Sequence, residues 1–119
     1  MITFWHNPRC SKSRQALTLL QDHGAEVTVR RYLADAPDLG DLRAVQARLG
    51  VPALQMIRTG EAAFKAMELR SDSDDDTLLR AMAEVPKLIE RPIAILGDRA
   101  VIGRPPEAVL GLLDDPGGG

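Results

Sequence analysis

Hydrophobic positions change their period twice within the first thirty or so residues. Ile2-Thr3-Phe4-Trp5-His6 is β-branched and aromatic and runs into the turn pair Asn7-Pro8, which predicts a short buried strand. From Ser11 the period lengthens: Ala16, Leu17 and Leu20 fall on one helical face, and Gly24 after His23 supplies a left-handed stop. Val27 to Tyr32 then alternates and is again β-branched, so a second strand follows. Strand, helix and strand in so short a stretch form a βαβ unit, whose two strands are expected to be parallel.

In the middle of the chain the pattern is helical. Asp38 is placed to cap a helix carrying the stripe Leu39, Leu42, Val45 and Leu49, which Gly50-Val51-Pro52 ends. Shorter helical pieces are expected at 53–58, 61–69 and 74–85. Ile93 to Leu96 and Ala100 to Ile102 flank Gly97-Asp98-Arg99 as a hairpin, and a last helix is expected from Pro105, with Glu107 in its first turn and Val109, Leu110, Leu112 and Leu113 as its apolar residues. The order βαβ, helical insertion, ββα predicts an α/β protein with a four-stranded mixed sheet, the arrangement of a thioredoxin-like fold. Residues 1–113 are expected to form one such domain with its helical insertion at about 38–85, and 114–119 a flexible tail.

Composition narrows the class. The 119 residues are one domain's worth of chain, and 45% hydrophobic with 27% charged residues excludes a disordered chain. A single cysteine excludes an intramolecular disulfide and a cysteine-based zinc site. No apolar run approaches the roughly 20 residues that span a bilayer, and Met1 leads straight into a strand rather than a cleavable leader, so a cytoplasmic protein is expected. Net charge is −2, which gives no general drive toward nucleic acid or membrane. The charge is nevertheless uneven. Residues 1–21 carry Arg9, Lys12 and Arg14 and no acid, leaving 12 cations against all 17 acids in the remainder.

Cys10 lies inside that positive segment, after a strand and a proline turn and directly before a helix. There the unpaired amides of the first turn, the helix dipole and the neighbouring cations favour thiolate, the nucleophilic form. Cys10-Ser11-Lys12-Ser13 has C-x-x-C spacing with serine at the second position, so any disulfide made by Cys10 must be resolved by an external thiol. A phosphatase-type C-x5-R loop also fails, because Ala16 stands where the arginine belongs. Ser11 and Ser13 could cap the helix or donate to a bound oxyanion. His6 could stabilise the thiolate, orient the turn or be purely structural, and His23 suits the last turn of the first helix. His6, Cys10 and His23 are too small a set for a metal, and Asp72, Asp74, Asp75 and Asp76 read as a solvated helix start.

Three separated motifs, His6-Asn7-Pro8-Arg9-Cys10-Ser11-Lys12-Ser13-Arg14, Glu90-Arg91-Pro92-Ile93 and Ile102-Gly103-Arg104-Pro105-Pro106-Glu107, closely resemble the ArsC family of glutaredoxin-coupled arsenate reductases. The resemblance runs from residue 2 to about residue 113, and Ser11-Lys12 with the short C-terminus is similar to a compact subgroup. It implies a thioredoxin-like fold, Cys10 as catalytic cysteine with His6 as its neighbour, and an oxyanion held by Arg58, Arg91 and Arg104, with Ser13 beside them. It also implies a cis peptide before Pro92. The planar guanidinium fork suits the oxygens of a tetrahedral oxyanion better than a lysine does.

The activity so implied is reduction of arsenate by Cys10, with glutathione as co-substrate, glutaredoxin as partner, arsenite as product and no bound cofactor or metal. Two alternatives share the fold. Spx-type transcription regulators bind RNA polymerase, but their redox-sensing members keep both cysteines of C-x-x-C, and Ser13 breaks that motif. A monothiol redox protein acting on glutathionylated partners fits Cys10 equally and needs no arginine triad.

Overall fold

The computed structural model describes residues 1–113; the expected tail at 114–119 lies outside the described residues. Eleven elements follow one another among them, and they group into two compact units. The first unit joins Met1–Tyr32 to the segment from Arg91 onward, and the second is Leu33–Glu90, within which the expected helical stretch at 38–85 falls.

In the first unit β1 (Ile2–Trp5), β2 (Val27–Arg30), β3 (Ile93–Leu96) and β4 (Arg99–Ile102) make one sheet in the order β2-β1-β3-β4. β1 and β2 are parallel, with Phe4 opposite Val29, while β3 runs antiparallel to both β1 and β4. The parallel pair is joined by α1 (Ser11–Asp22), which ends at His23, with Gly24 at φ 77°. The His23 imidazole reaches back to the Leu19 carbonyl at 2.9 Å, the last-turn role expected of it. Ala16 and Leu20 of α1 pack on Ile2, Phe4 and Ala94 of the sheet and on Val109 and Leu112 near the C-terminus. Phe4 is fully buried in this cluster, a burial that contributes about 1.5 to 3 kcal/mol.

The second strand stops at Arg30 rather than Tyr32, the pieces expected at 53–58 and 61–69 shorten to Ala53–Gln55 and Ala62–Ala66, and two further differences lie near the C-terminus. The hairpin turn is Gly97-Asp98 alone, with Gly97 at φ 61°, and Arg99 already belongs to β4 opposite Leu96. The last helix is a 3₁₀ helix over Pro106–Leu113 rather than an α-helix from Pro105. Its buried residues are Pro106, Val109 and Leu112, spaced by three, and three residues per turn keep all of them on one face. The apolar pattern around Leu110 and Leu113 suggested the α period, but Leu113 is exposed.

In the second unit α2 (Leu39–Leu49), α3 (Ala62–Ala66) and α4 (Asp75–Glu84) alternate with short 3₁₀ turns at Ala53–Gln55 and Pro86–Leu88. Asp38 caps α2 in a reciprocal capping box with Asp41, and Gly50 ends it in the left-handed conformation, as its sequence predicts. The acidic stretch is spent on structure. Asp74 accepts from the Thr77 amide as N-cap of α4, Asp75 accepts from Gln46 and the Ala53 amide, and Asp76 pairs with Arg43 and Arg80. No helix among the described residues is long and apolar enough to cross a membrane.

Candidate active site

The turn that delivers Cys10 is held from within. The Cys10 amide donates to the Asn7 carbonyl at 3.0 Å, the Arg9 amide donates to Asn7 Oδ1 at 3.0 Å, and Arg14 Nη1 donates to the Pro8 carbonyl at 2.9 Å. Cys10 itself is the N-cap of α1, with extended backbone at φ −93° and ψ 122° and a half-buried side chain. No acid lies in the first turn of the helix.

Burial alone would push the Cys10 thiol up. Against it, the backbone N–H of Ser13, the Arg91 guanidinium, the backbone N–H of Lys12 and the Arg104 guanidinium all favour the thiolate, and the net result is a thiol below its ordinary value. The sulfur makes no close capping hydrogen bond, so the amides act on it chiefly as oriented dipoles. A lowered thiol pKa means that alkylation of Cys10 rises with pH to a plateau reached earlier than for a free cysteine. The rate of iodoacetamide labelling against pH is expected to show a midpoint below the free value of about 8.5, and Arg91→Lys is expected to leave it nearly in place while Arg91→Ala moves it upward. A midpoint at or above the free value would contradict the activation.

His6 and Ser13 form a buried support beneath this turn. His6 Nδ1 lies 2.7 Å from Ser13 Oγ, which also accepts from the Asn7 amide at 3.1 Å, and Ser13 is fully buried. Burial, with Arg31 and Arg14 behind it, holds His6 below its ordinary pKa, so it is a neutral imidazole near pH 7. The geometry places the His6 ring on Ser13 Oγ beneath the turn. Ser13 Oγ is turned inward to His6 and Asn7, and what Ser13 directs at the sulfur is its backbone N–H.

Arg91 and Arg104 are brought together from two separate motifs. The Arg91–Pro92 and Arg104–Pro105 peptides are both cis, the first as the resemblance implied. Arg104 Nε donates to the Arg91 carbonyl at 2.9 Å, and Arg91 Nε and Nη1 are buried. Behind them the Gly103 amide donates to the Pro92 carbonyl at 2.8 Å. A Cβ on Gly103 would stand 2.7 Å from Pro92 Cγ and 3.0 Å from Val109 Cγ1, so the absence of a side chain is what allows this approach. Gly103 stands inside the third motif, and its local pattern assigns it no role. Gly103→Ala is expected to lower stability by about 1 to 3 kcal/mol through this overlap, seen as a shifted denaturant midpoint with unchanged slope.

Arg58 belongs to the second unit. Its amide donates to the Leu88 carbonyl at 2.7 Å beside the Ile57–Ile89 bridge, and its guanidinium pairs with Glu61 Oε2 at 2.8 Å. Glu61 was not singled out from sequence, although its i,i+3 spacing from Arg58 is the signal that could have found it.

A four-stranded sheet in this order, with an activated lone cysteine capping the first helix and a cis proline entering β3, defines a thioredoxin-like protein built around one thiol. Comparison with known proteins then names the group within that class. The ArsC family model matches residues 5–112. An arsenate reductase of Neisseria meningitidis is 41% identical over 114 residues, covering 94% of this chain and 97% of the relative, and one of Haemophilus influenzae is 40% identical over 114 residues, covering 94% and 98%. The solved structure of an arsenate reductase from Vibrio cholerae superposes with a TM-score of 0.88 at 43% identity, over 92% of this chain and 95% of that one. The chain belongs to the ArsC family.

Proposed function

We propose that the protein reduces arsenate to arsenite. The observation that carries this reading is a lone thiol held toward thiolate by two amides and by the guanidinium groups of Arg91 and Arg104, an arrangement that would also gather an oxyanion against the sulfur. In the first step the Cys10 thiolate attacks As(V); an S–As bond forms, an As–O bond breaks, and the oxygen leaves as water. Arg91 and Arg104 stabilise the charge on the remaining oxygens.

The second step needs an external thiol, because the chain has no other cysteine. Glutathione attacks the Cys10 sulfur, a Cys10–glutathione disulfide forms, and the S–As electron pair stays on arsenic, which leaves as arsenite, As(III). Each of the two sulfurs has then given up one electron. Glutaredoxin returns Cys10 to thiol by taking the glutathionyl group. We place the reaction in the cytoplasm, where small thiols are kept reduced.

The names of the relatives support the substrate, and the geometry supports the nucleophile and the two arginines. The test is arsenite production by the purified chain with glutathione and glutaredoxin, run beside phosphate and selenate. Turnover of arsenate that requires both thiol components is expected. Absence of arsenite with all components present would overturn the reading.

A further inference from the structure

A groove of about 610 Å³ runs along α1 from the residue that follows Cys10, lined by Ser11, Arg14, Gln15, Thr18, Leu19 and Glu107. It lies wholly within the first unit. Ser11 directly follows the nucleophile, and Thr18 and Leu19 stand two turns further on, about 11 Å along the helix axis. The lining is of mixed character: a guanidinium at the end near the nucleophile, a carboxylate contributed by the 3₁₀ helix, an amide, two hydroxyls and one half-buried leucine. The guanidinium is tied to the turn before Cys10, where Arg14 Nη1 donates to the Pro8 carbonyl at 2.9 Å.

That lining is unsuited to a second oxyanion, which Glu107 would repel, and too polar for a purely apolar ligand. Opposite charges together with amide and hydroxyl groups match a short peptide that carries both a carboxylate and an ammonium. The chemistry supplies a reason for such a ligand here, since Cys10 depends on a sulfur from outside the chain. We propose that this groove seats the body of the incoming thiol, a short zwitterionic peptide thiol, with its carboxylate at Arg14 and its ammonium toward Glu107 while its sulfur reaches Cys10. The proposal rests on the reaction above only for its need of an external thiol.

The test uses thiol exchange alone, with no arsenate present. Cys10 of the full chain is converted to its mixed disulfide with thionitrobenzoate, and release of that anion is followed as glutathione attacks the Cys10 sulfur, forming the Cys10–glutathione disulfide and breaking the first S–S bond. With glutathione the rate is expected to saturate with concentration, whereas with 2-mercaptoethanol it is expected to rise linearly. N-acetylated glutathione, which lacks the ammonium, is expected to be slower than glutathione by about two- to fivefold, as for a partly exposed ion pair, and the difference should fade at high salt. Glu107→Gln should remove that difference, and Thr18→Trp should slow glutathione by obstructing the groove; neither should alter exchange with 2-mercaptoethanol.

A linear dependence on glutathione, equal rates for the two peptide thiols, or variants that change both thiols alike or neither would overturn the groove assignment. A chain that shows these preferences yet fails to reduce arsenate would retain the groove and lose the proposed substrate. One that reduces arsenate without the preferences would do the reverse.

Discussion

Cys10→Ser is expected to bring arsenite production down to background, a loss of at least about a thousandfold, while far-UV and near-UV circular dichroism stay as in the parent. The change is nearly isosteric, and the side chain makes no close hydrogen bond on which the start of α1 depends. A serine hydroxyl at the same N-cap would bond the helix amides well, so stability should hold or rise slightly. What is lost is a thiol held below its ordinary pKa. The amides of Ser13 and Lys12 and the charges of Arg91 and Arg104 ease the ionisation of a thiol, whereas an alcohol stays protonated there. Turnover surviving in Cys10→Ser would remove the nucleophile assignment altogether, since no second cysteine could replace it.

Arg91→Ala and Arg104→Ala are each expected to cost about 2 to 4 kcal/mol of transition-state stabilisation in arsenate reduction, read as kcat/KM at fixed glutathione and glutaredoxin. Lysine at either position should recover part of the loss, because it restores the charge without the planar fork. The two positions are not independent: both guanidinium groups act on the same sulfur, so the double variant should lose less than the sum of the singles. Removal of glutathione from a preformed Cys10–glutathione disulfide by glutaredoxin serves as the control. That exchange involves no oxyanion and should fall much less. Equal loss of both activities, with denaturant midpoints unchanged, would favour a monothiol redox protein over an arsenate reductase.

These two experiments bear on different links of the chain from sequence to function. The first tests a feature readable in one continuous stretch of sequence. Strand, Asn-Pro turn, cysteine and helix follow one another locally, so the position of Cys10 at the end of a dipole needed no tertiary information. The second depends on residues far downstream, which act on the sulfur only because β3 and β4 return to the same sheet as β1. Their motifs could be recognised one by one, but nothing in their local pattern states which cysteine they serve.

What the sequence by itself determined here is whatever one element can encode in its own period and ends: the βαβ start, the capping box at Asp38, the stop at Gly50, the hairpin, and the exclusion of an internal disulfide. Packing decided the remainder. The residues at 106, 109 and 112 carry both an α and a 3₁₀ reading, and the 3₁₀ period won because it sets all three against the core. His6 carried three readings, and only the fold showed its burial and its bond to Ser13. Gly103 had no local signature, because its requirement is the approach of Pro92 and Val109 to a place where a Cβ would be. Arg58 had a motif but not a partner, and the pairing with Glu61 is a side-chain choice made only in the folded unit. Periods and caps act over a few residues and survive in any context, whereas burial, charge neighbours and close approach exist only once distant segments share a site.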